Sequence, residues 1–137
     1  KPAELCGETI GEALLKPHTC YWKAIRQAMS SGEIELDGIA HITGGGLFDN
    51  VPRILPKNVN AVFHKNQILD APPIFRLLTG RSGIGDEAYR VFNMGVGMVW
   101  FVKAEFEQAA IRICNEQGFQ AFRCGEVVDG ERKSLVI

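Results

Sequence analysis

The stretch AHITGGGLFDN, Ala40 to Asn50, sets one histidine, one threonine and three consecutive glycines between an apolar lead and an apolar, acidic opening. Strand, glycine turn and helix in that order can hold a phosphate, because successive backbone amides point into the turn and a helix N-terminus adds partial positive charge. Thr43, Gly44, Gly45 and Gly46 fit that geometry as an anion cradle. They fit a merely tight turn equally well. The spacing is neither that of a P-loop, with its following lysine, nor the dinucleotide GxGxxG fingerprint. On these residues alone both readings stay open.

His41 stands at the end of the strand beside the glycines, where an imidazole can donate to a substrate oxygen or move a proton near neutral pH. Its plain alternative is a hydrogen bond to a neighbouring loop. Arg53 can grip a phosphate with two parallel hydrogen bonds, or pair with a carboxylate on a helix surface. In FNMGVGM, Phe92 to Met98, Gly95 and Gly97 permit a ligand or another backbone to come close, or mark a bulge. Asn93 carries a polar amide to the edge of the core and needs a partner. His18, at a proline-broken helix boundary, and His64, on the surface of a strand, carry less. Glu33, Glu35 and Asp37 read as a solvated edge. No paired carboxylates, metal cluster or nucleophile triad is expected.

The elements that must position these residues follow from periodicity. GETIGEALL reads as a helix broken at Pro17 and resumed with Thr19 as N-cap, sending Ile25, Ala28 and Met29 to the core and ending at Ser30 to Gly32. Leu36 to Ile42 is expected as a short strand, LFDNVPRIL as a short helix with Pro52 near its first turn, and Val59 to His64 as a second strand. Pro72 and Pro73 open an amphipathic segment, IFRLL, that stops near Gly80. RSGIGDEAYRVFN combines a loop with a short helix capped by Asp86, and MGVGMVWFV reads as a buried strand. KAEFEQAAIRICNEQG is the clearest helix, with Phe106, Ala109, Ala110, Ile113 and Cys114 on one face and Gly118 as its C-terminal cap. FQAFRCGEVV and KSLVI close the chain as a hairpin around Asp129-Gly130. Interleaved strands and helices of this kind make an α+β domain of mixed α/β layers, one unit spanning residues 1–137.

A length of 137 residues suits one domain with a substantial core, and 46% hydrophobic with 23% charged residues excludes intrinsic disorder. A net charge of −1 gives no global reason to bind nucleic acid or an anionic membrane, so any anion site must be local. The apolar runs fall short of a membrane span, and no secretory signal is recognisable. The four cysteines are scattered without a CxxC pair, which suits free structural thiols in a reducing cytoplasm. A start at Lys1 without methionine suits a processed product or part of something longer.

HITGGG followed by DNVPRILP, PPIF and EAYRVFNMGVGM, in this order and spacing, closely resembles the C-terminal half of the phosphoribosylformylglycinamidine cyclo-ligase family, also called aminoimidazole ribonucleotide synthetase. PHTCYWKAI is similar to that family's segment of proline, threonine, tyrosine and lysine before a helix. The likeness runs from about Glu12 to Val128. The wider superfamily, with selenophosphate synthetase and thiamine monophosphate kinase among its members, shares the domain type but typically carries an aspartate at the place of His41 and lacks the NVPRILP continuation. His41 therefore points to the cyclo-ligase.

The resemblance implies the C-terminal domain type of that superfamily, a mixed sheet packed with helices. It also implies ATP-dependent closure of formylglycinamidine ribonucleotide to aminoimidazole ribonucleotide in de novo purine biosynthesis: the formyl oxygen is phosphorylated and the substrate's amidine nitrogen attacks. ATP and Mg2+ are expected mainly on an N-terminal half that this chain lacks. The expected partners are the substrate, ATP, that N-terminal domain and, in the full-length cytoplasmic protein, a second copy; neither nucleic acid nor membrane is expected. His41 and Asn93 are the implied catalytic residues, with Thr43, Gly44, Gly45, Gly46 and Arg53 on the phosphate. This chain would then form one wall of the active site and be inactive alone. The alternative is a stand-alone phosphate- or nucleotide-binding module without catalysis. One departure stands out: where the family reads PTRIY, with a threonine-arginine pair, this chain has His18-Thr19-Cys20 between Pro17 and Tyr21.

Overall fold

The computed structural model describes residues 1–68 and 71–137. Its helices are α1 (Ile10–Leu14), α2 (Trp22–Ser31), α3 (Gly46–Asn50), α4 (Pro73–Ser82), α5 (Ala88–Val91) and α6 (Glu107–Glu116). Its strands are β1 (Gly38–His41), β2 (Val59–Phe63), β3 (Met98–Phe101), β4 (Gly125–Asp129) and β5 (Ser134–Val136). β1 and β3 form an antiparallel ladder from Gly38↔Phe101 to His41↔Met98. β2 lies between β4, antiparallel to it, and β5, parallel to it. The α+β class with mixed sheet pairing is as expected.

The β1–β3 ladder separates two apolar clusters by strand alternation. Ala40 and Val99 face a core completed by Ile42, Leu47, Val51, Leu55, Ala61, Phe63 and Val96. Trp100 packs against the second cluster, formed by Ala28, Ile34, Ala110 and Ile113. Ile42, Leu47, Ile113 and Val51 are the largest fully buried side chains, each contributing roughly 1.5–3 kcal/mol by burial. Both clusters therefore clamp the ladder whose end carries His41.

Several local expectations are corrected. The closing strands do not form a hairpin with each other but flank β2. The reason is Asn60, whose Oδ1 accepts from the amides of Glu131 (2.9 Å) and Lys133 (2.8 Å) and so draws the β4–β5 connection across the start of β2. Residues 119–124 are not strand, and MGVG is a turn that leaves only Met98–Phe101 paired. The Leu36–Ile42 strand is confined to Gly38–His41. Thr19 does not cap α2, which starts after Tyr21 without a side-chain cap; Thr9 instead builds a capping box with Glu12 on α1. Met29 is 72% exposed, because α2 approaches α6 through Ala24 and Ala28. Pro52 opens a separate 3-10 turn, Val51–Arg53, beyond α3. Asp86 lies inside a 3-10 turn and accepts from Lys65 Nζ at 2.7 Å rather than capping α5. Gly118 (φ 83°) does close α6, with the Phe119 amide donating to the Cys114 carbonyl.

Candidate functional site

Antiparallel pairing decides what meets what. β1 ends at His41 where β3 begins at Met98, so the turn Thr43 to Gly46 and the turn Asn93 to Gly97 lie at the same open end of the ladder. The Ile42 amide donates to the Gly97 carbonyl at 3.0 Å, and Asn93 Nδ2 lies 3.5 Å from the Ile42 carbonyl. The other end of that side chain, Oδ1, accepts from the Gly95 amide at 3.0 Å. Asn93 thus has the partners its position called for, both backbone groups: the Gly95 amide within its own turn and the Ile42 carbonyl across from it.

Within TGGG the three glycines serve different ends. Gly45 and Gly46 adopt positive φ, 92° and 56°, which L side chains resist. Gly46 is also pressed against α5, where an added β-carbon would run into the Tyr89 carbonyl. Gly44 is exposed with open space beside it. The Gly46 amide is taken by the Thr43 carbonyl at 3.0 Å. Asn50, only 5% exposed, fastens the turn from below: its Nδ2 donates to the carbonyls of Gly46 (2.8 Å) and Gly44 (3.1 Å), while Oδ1 accepts from Thr43 Oγ1 (3.3 Å). Close approach of backbone is real at Gly46, but the approaching group is the protein itself. The face left open to a ligand is that of Thr43, Gly44 and His41, all exposed.

His41 has a neighbour that sequence reading set aside. Its Nε2 lies 3.0 Å from Nε2 of His18. Tyr21 stands edge-on to both rings, with centroid separations of 6.0 Å to His18 and 6.4 Å to His41. It leans on Phe119 at 5.6 Å and covers Gly97 so closely that a side chain there would strike the phenol. The signal for this contact was present in PHTCY, the one motif segment that departs from the resembled pattern.

Among the described residues no side-chain hydrogen bond or ion pair joins these groups to Arg53. It follows α3 on the 3-10 turn, its carbonyl accepts from Arg132 Nη2 at 3.1 Å, and its exposed side chain has no bonded partner among the described residues. Arg90, not singled out from sequence, lies on α5 with its guanidinium 4.0 Å above the Phe48 ring of α3. Asn50 and Tyr21 were missed because a buried amide and an aromatic wedge leave no short-range pattern.

Beside the site a groove of about 740 Å³ runs between β3, α6 and residues 119–124. Cys114 and Cys124 line it, and burial pushes both thiols up to about 11. Among the described residues no group of three or more His, Cys, Asp or Glu side chains is arranged to hold a metal ion, and no helix is long and apolar enough to cross a membrane.

A model of the family described as "AIR synthase related protein, C-terminal domain" matches residues 2–137. The chain belongs to that family. Among curated proteins, the phosphoribosylformylglycinamidine cyclo-ligase of Alkaliphilus oremlandii (strain OhILAs) is 41% identical over 131 residues, covering 95% of this chain and 38% of the relative. That of Caldicellulosiruptor saccharolyticus is 41% identical over 124 residues, 90% of this chain and 36% of the relative. The chloroplastic enzyme of Arabidopsis thaliana is 38% identical over 124 residues, 90% of this chain and 31% of the relative. This AIR synthase related domain thus spans less than two-fifths of the length of the curated relatives it matches. The resemblance drawn from HITGGG, EAYRVFNMGVGM and PHTCYWKAI is borne out, and parts of those three segments meet at the open end of β1–β3.

Proposed function

We propose that this chain is the C-terminal domain of a phosphoribosylformylglycinamidine cyclo-ligase and forms one wall of the site that closes formylglycinamidine ribonucleotide to aminoimidazole ribonucleotide. The observation that supports it is the setting of His41: exposed, at the mouth of the ladder, between the Thr43–Gly46 turn and the MGVG turn. In this reading the outward faces of Gly44 and Gly45 meet the substrate phosphate, and Thr43 turns its hydroxyl from Asn50 Oδ1 to the phosphate when substrate binds. Gly46 sets the path of the turn, and Arg53 adds a cation beyond α3. His41 donates to, or exchanges a proton with, the reacting amide. Asn93 acts by holding the two turns in register.

ATP supplies the phosphoryl group that turns the formyl oxygen into a leaving group, and with Mg2+ it belongs mainly to the N-terminal half. In this reading the chain's own residues bind, orient and move protons. The full-length protein in this reading is a cytoplasmic homodimer, and the isolated domain is inactive.

The test is His41→Ala in the full-length protein. Turnover is expected to fall by about 10²-fold or more with an unchanged circular dichroism spectrum. Undiminished turnover reduces His41 to scaffold and removes the reading.

A further inference from the structure

We infer that His18 is a positioning residue for His41: one proton is shared between their Nε2 atoms, leaving Nδ1 as the nitrogen that His41 presents to substrate. The inference rests on the reading of His41 as the group at the reacting amide. The contact itself does not.

Two Nε2 atoms 3.0 Å apart stand at hydrogen-bond distance. A neutral imidazole has one N–H and one lone pair, so this contact forms only when one Nε2 carries the proton and the other accepts it. With both Nε2 atoms protonated two N–H donors would face each other with no acceptor between them, and with neither protonated two lone pairs would meet. The pair therefore holds one proton at the interface. Whichever ring donates, the Nε2 of His41 is occupied, and the ring works through Nδ1. If His18 donates, His41 is the Nδ1–H tautomer, a donor aimed away from its partner; if His41 donates, its Nδ1 is a base. A second-residue hydrogen bond that sets which imidazole nitrogen is free is a general means of fixing a working histidine.

The surroundings suit such a pair. Both histidines are exposed, so burial alone does not fix their rings. The ring planes are tilted 56° with centroids 5.0 Å apart, an arrangement in which the nitrogen edges meet rather than the faces. Tyr21 contacts both rings edge-on and is itself braced by Phe119 and Gly97. His18 and Tyr21 come from the segment before α2, His41 from the end of β1. The shared proton thus ties the one motif segment that departs from the resembled pattern to the residue that carries the functional reading.

The experiment is 15N NMR of the imidazoles in this chain at neutral pH, with a chelator present so that a metal bridging the same nitrogens is not mistaken for a proton. One Nε2 of the pair is expected to be protonated and the other not, and His18→Ala should move His41 to the tautomer mixture of a free imidazole. His18→Gln, whose side-chain amide can donate to that nitrogen or accept from it, should restore the wild-type pattern at His41. Unchanged His41 nitrogen shifts in His18→Ala, or a pairing that vanishes on chelation, overturns the shared proton. In the full-length protein His18→Ala should lower kcat about tenfold with KM little changed, and His18→Gln should recover most of it. If His41→Ala keeps full turnover, the positioning role falls with the functional reading, while the NMR result still decides the shared proton by itself.

Discussion

The carbonyl oxygen of Tyr89 occupies the space that a β-carbon on Gly46 would take, and the Phe92 carbonyl lies 2.8 Å from the same point. Both belong to rigid backbone at α5, so neither can swing aside as a side-chain tip would. Gly46→Ala adds a positive-φ strain of about 1–3 kcal/mol to that clash and is expected to destabilise the chain by at least about 2 kcal/mol in urea denaturation. Gly44→Ala, with open space beside it, should shift stability by no more than about 0.5 kcal/mol. Equal midpoints for the two variants would mean that α5 does not press on the turn.

Asn50 should behave as part of the same turn. Its buried amide satisfies the carbonyls of Gly46 and Gly44 and the Thr43 hydroxyl, so Asn50→Ala strands acceptors that have lost their donor, at a cost of about 1–3 kcal/mol. Asn50→Asp should be worse, since a carboxylate would face those carbonyls with no proton to offer. Denaturant midpoints order the three proteins, and an Asp variant as stable as wild type would refute the arrangement.

The legible parts of the molecule were those written in short-range pattern. The α6 face, the Gly118 cap, the β1 and β3 strands and the glycine turn all follow from spacing within about ten residues, because helix and strand periods and turn stereochemistry are local. His41, Thr43 and Gly44 were read correctly as neighbours for the same reason. Missed relationships join distant segments. Asn60 redirects the β4–β5 connection from 71 residues away, which turned an expected hairpin into two flanking strands. His18 reaches His41 across 23 residues, and no periodicity marks that contact. Arg53 follows α3 on a 3-10 turn, and no side-chain hydrogen bond or ion pair among the described residues joins it to the glycine turn. The substituted PHTCY segment stands out in the sequence, yet its partner His41 is fixed only by the position of β1.

The cysteines divide by environment. Cys114 and Cys124 are pushed from 9.0 up to about 11 by burial along the groove, so at pH 7.5 they are neutral thiols and poor nucleophiles. Cys6 and Cys20 are exposed. Alkylation counted by mass spectrometry should modify two sites quickly and two slowly. The folded state holds the Cys114 and Cys124 protons more tightly than the unfolded chain, so their contribution to stability is complete below about pH 9 and is lost as pH rises towards 11. Four equally fast thiols, or stability that rises between pH 9 and 11, would show the groove open to solvent.

Arg132 and Arg53 share a contact but not a role, which lets stability and ligand binding be separated. Arg132 donates Nε to the Pro52 carbonyl at 2.8 Å and Nη2 to the Arg53 carbonyl at 3.1 Å, so charged donors tie the β4–β5 connection to the turn after α3. Arg132→Ala removes both and is expected to cost about 1–3 kcal/mol. The Arg53 side chain is exposed with no bonded partner among the described residues, so Arg53→Ala should leave the denaturation midpoint within about 0.5 kcal/mol. If the proposed function holds, the same variant in the full-length protein should raise KM for formylglycinamidine ribonucleotide about tenfold, the loss expected for one charge-assisted contact to phosphate. With stability unchanged and kcat retained, that rise would report a loss of substrate binding rather than of folding. An unaltered KM would take Arg53 out of the proposed site and leave it to the exposed turn and His41.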